Sequence, residues 1–115
     1  MTIASLMTPA AAQAAQSQQV GSHSVQAVKK AQGLWIDVRS PEEFQQGHIE
    51  GAQNIPVDRI ASEISRISPD KNAPLNLYCR SGRRSEVALQ TLKKLGYTHV
   101  INRGGYQDLL DKGIH

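Results

Sequence analysis

The chain has 115 residues, 39% of them hydrophobic and 20% charged, with a net charge of +3. That length accommodates one soluble domain with a modest core and leaves no room for a second. Its only cysteine, Cys79, excludes an intramolecular disulfide and a multi-thiolate metal site, while His23, His48, His99 and His115 are too scattered for zinc-ligand spacing. Lys and Arg are spread along the chain without a basic run, so the charge reads as solvated surface rather than a nucleic-acid footprint. No stretch approaches the ~18–20 apolar residues of a membrane span.

Residues 1–18 form a tail that is uncharged, rich in Ala and Gln, and without an apolar period able to order it. Small residues spaced as Ala-x-Ala at Ala12 to Ala14 resemble the end of a secretory signal, although a basic start and a full apolar stretch are missing; a plain extension is the alternative. The domain proper is expected over 19–115. Ser22 would cap a short helix bearing Val25 and Val28. Residues 34–38 (LWIDV) read as a strand, followed by a helix with Ser40 as cap, Pro41 at its first position and acidic residues in its first turn. Residues 52–57 read as a short strand and Asp58 as the cap of a helix with Ile60, Ile64 and Ile67 on one face. The strand 74–79 ends at Cys79, and a helix over 83–96 places Val87, Ala88, Leu92 and Leu95 in a stripe that Gly96 terminates. Residues 97–102 make a last strand and 105–113 a last helix. Strands separated by helices imply a three-layer α/β domain with a central parallel sheet, because each parallel crossover needs a covering helix.

Cys79 therefore sits at the carboxyl edge of the sheet, where open α/β folds bind ligands. The five residues after it, Arg80-Ser81-Gly82-Arg83-Arg84, make a tight loop with three arginines. Gly82 permits a left-handed turn, and successive amides plus the helix start can converge on the sulfur. Each pH unit of thiol acidification needs about 1.4 kcal/mol. A helix terminus supplies only ~0.3–1 kcal/mol, so the loop amides and the charges of Arg80, Arg83 and Arg84 are expected to add the rest. The product would be a nucleophilic thiolate in a small anion cradle. A phosphatase-type loop puts Arg at the sixth residue after its cysteine, and here that residue is Ser85.

The shorter ring Cys79 to Arg84 resembles the active-site loop of the rhodanese family, which surrounds a single sulfur atom. The likeness extends to residues 37–56 (DVRSPEEFQQGHIEGAQNIP) and to 92–109 (LKKLGYTHVINRGGYQDL), in the family's order. It is most similar to the small single-domain rhodaneses of the phage-shock type, which are exported to the periplasm; that implies a periplasmic protein, with the cytoplasm as alternative. The resemblance implies a rhodanese-like sheet of about five strands. It implies a thiosulfate sulfurtransferase in which Cys79 becomes a persulfide, the amides of residues 80–84 cradle it, and cyanide or a thiol accepts the sulfur. No cofactor is called for, and the expected state is a monomer whose partners are a small anionic donor and a thiophilic acceptor. Arg80, Arg83 and Arg84 are candidates to hold the sulfonate, Arg84 foremost. Ser85 would cap the helix or donate to sulfur, capping being preferred. Asp37 and Arg39 are expected to brace loops, and His48 and Trp35 to serve the scaffold. Gly104 and Gly105 would turn beside the loop. Two further readings stay open: a sulfur-relay module loaded by a partner, and a phosphatase or arsenate-reductase-like enzyme, against which the short loop argues.

Overall fold

A computed structural model describes residues 30–115. The tail and the helix expected from Ser22 lie outside the described residues, and Lys30 and Ala31 are not helical. Four strands, β1 (Leu34–Asp37), β2 (Gln53–Asn54), β3 (Leu75–Cys79) and β4 (Val100–Gly105), form one parallel sheet in the order β2-β1-β3-β4. Among the described residues the sheet thus has four strands rather than about five. The helices are α1 (Pro41–Gln46), α2 (Ile60–Ile67), α3 (Arg83–Lys94) and α4 (Tyr106–Asp111), with a 3-10 turn at Val57–Arg59.

Strand alternation divides the core between two faces. Ile36, Leu75, Leu77 and Cys79 point to the side covered by Ile60 and Ile64 of α2 and Ala88 and Leu92 of α3. Trp35 and Tyr78 point to the other side, against Ile49, Leu109 of α4 and the partly buried Phe44 of α1. All five residues of β3 are buried, as a parallel strand between two helical layers requires. The same alternation aims the sulfur of Cys79 at the start of α3.

Ser40 caps α1 as expected. Its hydroxyl accepts the Glu43 amide at 3.2 Å while the Glu43 carboxylate accepts the Ser40 amide at 3.1 Å, a reciprocal capping box with Pro41 just inside it. Asp58, by contrast, does not cap α2: it lies within the 3-10 turn, whose last residue Arg59 opens the helix without a side-chain cap. The strand expected over 52–57 is regular over two residues only; the Ile55 and Val57 amides still donate to the carbonyls of Asp37 and Val38 at 3.0 and 3.1 Å, but the chain turns into the 3-10 segment after Pro56. The last strand is displaced from 97–102 to Val100–Gly105. Tyr97 and Thr98 are engaged elsewhere, their side chain and amide donating to the carbonyls of Ser68 at 2.7 Å and Lys71 at 2.9 Å. The buried stripe of α3 is Ser85, Ala88 and Leu92, with Val87 59% exposed and Leu95 37% exposed. The helix is rotated so that its first turn faces the sulfur. Gly96, at φ +98°, closes it, with the Tyr97 amide donating to Leu92 at 3.0 Å and the Gly96 amide to Lys93 at 3.0 Å.

Candidate active site

The peptide leaves β3 at Cys79 and enters α3 four residues later, so three residues must reverse its direction. Gly82 does this at φ +96°, a left-handed conformation that costs other residues about 1 kcal/mol or more. Its amide then points at the sulfur and donates to Cys79 Sγ at 2.9 Å. The Ser85 hydroxyl lies 3.6 Å from the same atom. Burial pushes the Cys79 thiol up, but the Ser85 hydroxyl and the amides of Ser85, Ser81 and Gly82 outweigh it and hold the thiol below its ordinary value. Hydrogen bonds, more than guanidinium charge, produce that balance. Cys79 itself is fully buried.

The two glycines of β4 make this packing possible. A Cβ on Gly105 would stand 2.5 Å from the Arg80 carbonyl oxygen, and one on Gly82 would stand 3.3 Å from Gly104 Cα. The register of β3 with β4 shifts between Leu77 and Cys79 so that Cys79 pairs with Gly105. Gly104 and Gly105 thus lie directly against the loop, as their place in the sequence suggests.

The arginines divide into two kinds. Arg84, the foremost candidate for an anion ligand, forms a two-pronged ion pair with Glu43, Nη1 to Oε1 at 2.7 Å and Nη2 to Oε2 at 3.0 Å. It therefore ties α3 to α1. The Arg84 hydrogen bond holds the Glu43 carboxyl well down, at about 2. Arg80, on the loop, and Arg83, the first residue of α3, are exposed and form no ion pair among the described residues. Two shallow grooves flank the loop. One of about 460 Å³ runs past Arg84, Val38, Pro41, Pro56 and Val57, and another of about 480 Å³ past Arg80, Arg39, Gly47 and Tyr106.

Ser85 is not a cap. The helix begins at Arg83, so Ser85 is its third residue and turns inward, with its hydroxyl 3.0 Å from the Gly82 carbonyl and 2.7 Å from Asn102 Oδ1. Asp37 and Arg39 form a buried ion pair, with Arg39 Nη2 2.6 Å from Asp37 Oδ2 and also donating to the Gly47 carbonyl at 2.6 Å. The Arg39 guanidinium lies 4.5 Å from the Tyr106 ring centre, so the pair braces the loop after α1 against α4. His48 stacks on Phe44 at 3.6 Å between ring centres, and its Nδ1 bonds the Phe44 carbonyl at 2.8 Å. Trp35 is buried in the core and donates from Nε1 to Ala31 at 2.8 Å. Two residues that touch the loop lie within the matched segments, yet the sequence assigns them no role at the site. Glu43 has only its capping-box spacing to mark it, and Asn102 only its place two residues before the glycine pair.

Comparison with known proteins agrees with this architecture. The rhodanese-like domain model matches residues 11–112. The thiosulfate sulfurtransferase PspE of Escherichia coli is 48% identical over 75 residues, 65% of this chain and 72% of that protein. A sulfurtransferase of Allochromatium vinosum is 41% identical over 73 residues, 63% of this chain and 66% of that protein. A solved rhodanese with anions from E. coli superposes with a TM-score of 0.64 at 48% identity, covering 65% of this chain and 88% of its own. The human single-domain sulfurtransferase TSTD1 gives a TM-score of 0.63 at 33% identity, covering 70% and 82%. With a four-stranded parallel sheet between helical layers and a buried cysteine in a six-residue loop at its carboxyl edge, the chain belongs to the rhodanese-like domain family.

Proposed function

We propose that the protein is a sulfurtransferase that takes the outer sulfur of thiosulfate onto Cys79 and passes it to cyanide or a thiol. The Cys79 sulfur anion attacks the outer sulfur, and the thiosulfate sulfur–sulfur bond breaks with its electron pair departing on sulfite. The persulfide anion so formed is attacked at its terminal sulfur by the acceptor, which leaves as thiocyanate or as an acceptor persulfide and returns the thiolate. The amides of residues 80–84 cradle the transferred sulfur. Arg80 and Arg83 hold the sulfonate, because guanidinium forks match oxyanion geometry and neither is engaged by a carboxylate among the described residues. Arg84 shapes the loop through Glu43.

The observation that carries this reading is the Gly82 amide donating at 2.9 Å to a buried sulfur whose thiol is acidified by hydrogen bonds. The similarity to PspE, a thiosulfate sulfurtransferase, supports the choice of donor. Intact mass before and after excess thiosulfate tests it. The protein should gain one sulfur and release sulfite, and Cys79→Ser should gain none; an unchanged wild-type mass overturns the reading.

The sequestration of Arg84 by Glu43 favours a second reading, a persulfide carrier charged by another protein, since fewer guanidinium groups are left for a small oxyanion. A carrier would load from a persulfidated donor protein yet turn over poorly with thiosulfate. A monomer acting in the periplasm completes the proposal, the location being supported by the Ala-x-Ala spacing at Ala12 to Ala14.

A further inference from the structure

One polar cluster beneath the loop is left unused by this chemistry. Asn102 reaches from β4 with its carboxamide fully engaged. Nδ2 donates to the Gly82 carbonyl at 3.0 Å and to Glu86 Oε1 at 3.3 Å. Oδ1 accepts the Gly104 amide at 2.9 Å and the Ser85 hydroxyl at 2.7 Å. A flipped amide would set oxygen against a carbonyl and a carboxylate, and its NH₂ against an amide N–H, so these partners settle its orientation.

The Ser85 hydroxyl has one proton and three acceptors nearby. The Gly82 carbonyl already receives the Glu86 amide at 3.1 Å and Asn102 Nδ2 at 3.0 Å, which fill its two lone pairs. Two claimants remain, Asn102 Oδ1 at 2.7 Å and Cys79 Sγ at 3.6 Å. While sulfur carries its proton, the S–H can point at Ser85 Oγ and the hydroxyl proton at Asn102. Once sulfur is an anion it is the stronger acceptor, and the hydroxyl turns to it.

We propose that Asn102 is a positioning residue for Cys79: its Oδ1 holds the Ser85 proton off the sulfur in the thiol form and yields it to the sulfur anion. Ser85 and Asn102 form a two-position proton switch under the loop. The step is a rotation about the Ser85 Cβ–Oγ bond, in which no covalent bond of Ser85 breaks and the thiol proton leaves to solvent. This inference rests on Cys79 being the nucleophile. The charged groups nearest the sulfur in the chain are Arg80 on the loop, Arg83 at the start of α3, Arg84 paired with Glu43 from α1, and Glu86 in the first turn of α3. From β1, Asp37 is neutralised by Arg39. Of these only Glu86 is touched by the substitutions, losing the 3.3 Å hydrogen bond from Asn102 Nδ2 in Asn102→Ala, and the Ser85→Ala background reads out any effect of that loss on its own.

The test is the pH dependence of Cys79 alkylation by iodoacetamide in the full chain, for wild type, Ser85→Ala, Asn102→Ala and the double variant. Alkylation needs the thiolate but no sulfur transfer, so the outcome is independent of whether thiosulfate is the donor. Ser85→Ala should raise the midpoint by about one pH unit. Asn102→Ala should lower it by about half a unit, because the hydroxyl loses its rival acceptor, and should have no effect in the Ser85→Ala background. An Asn102→Ala midpoint that is unchanged or raised, or a shift that persists without Ser85, overturns the proposal. Should Asn102→Ala fail to fold, the wild type decides through NMR. The Asn102 side-chain amide signals should move with the Cys79 midpoint and cease to do so in Ser85→Ala; signals that stay flat in the wild type overturn it.

Discussion

Glu43 shows how much one side chain can join. Its Oε1 receives the Ser40 amide at 3.1 Å, the Ser40 hydroxyl at 3.1 Å and Arg84 Nη1 at 2.7 Å, so the start of α1 and the active loop share one carboxylate oxygen. Arg84, with help from Ser40, holds the Glu43 carboxyl at about 2, below its value in an unfolded chain. A depressed carboxyl stabilises the fold at every pH above its unfolded value of about 4.3, and that stabilisation fades as pH falls through about 2. Because the side chains are 38% and 27% exposed, solvent screening reduces the effect to about 1 kcal/mol. Glu43→Gln should therefore lose about 1 kcal/mol in urea denaturation at pH 7. The gap to wild type should close as the pH approaches 2; a gap constant with pH would assign the loss to packing instead.

Among the elements, α3 is the one where expectation and structure part most usefully. Apolar periodicity places Val87 and Leu95 on the inward stripe, but the tight loop from Cys79 sets the helix rotation and brings Ser85 inward in their stead. Leu92→Ala should cost about 2–5 kcal/mol, since its side chain is wholly buried against Ile64 and Tyr97 in the same cluster. Val87→Ser should stay within about 0.5 kcal/mol of wild type in thermal or urea unfolding. Equal losses would restore the stripe that periodicity suggests. Elements defined by contiguous chemistry are readable from the sequence, as with Ser40, Pro41 and Glu43 at α1 or Gly96 after α3. Those whose ends depend on distant partners are not. The start of β4 is fixed by the carbonyls of Ser68 and Lys71, and Asp58 is displaced from a cap by a turn that begins at buried Pro56.

For the whole molecule, the net charge of +3 is small, but the loop concentrates positive groups. Arg80 and Arg83 stand exposed at either end of the turn that follows a buried sulfur, so on the proposed function an anionic donor would be drawn in while a neutral reagent would not. Raising ionic strength from ~0.05 to ~0.5 M should slow the reaction of Cys79 with thiosulfate several-fold and leave iodoacetamide alkylation unchanged. A common slowing of both would point to a change in the loop itself. The site was legible to the same degree as the elements. Cys79, Gly82 and the loop arginines lie within six residues, and a strand-to-helix junction places them by local geometry. The engagement of Arg84 by a carboxylate 41 positions earlier, and of Ser85 by an amide 17 positions later, belongs to the packed molecule.

The close seating of Gly105 on the Arg80 carbonyl has a further consequence for biosynthesis. The amides around the sulfur are packed against a strand that leaves the ribosome after them. Until residues 100–105 emerge and dock, the loop around position 79 lacks that support.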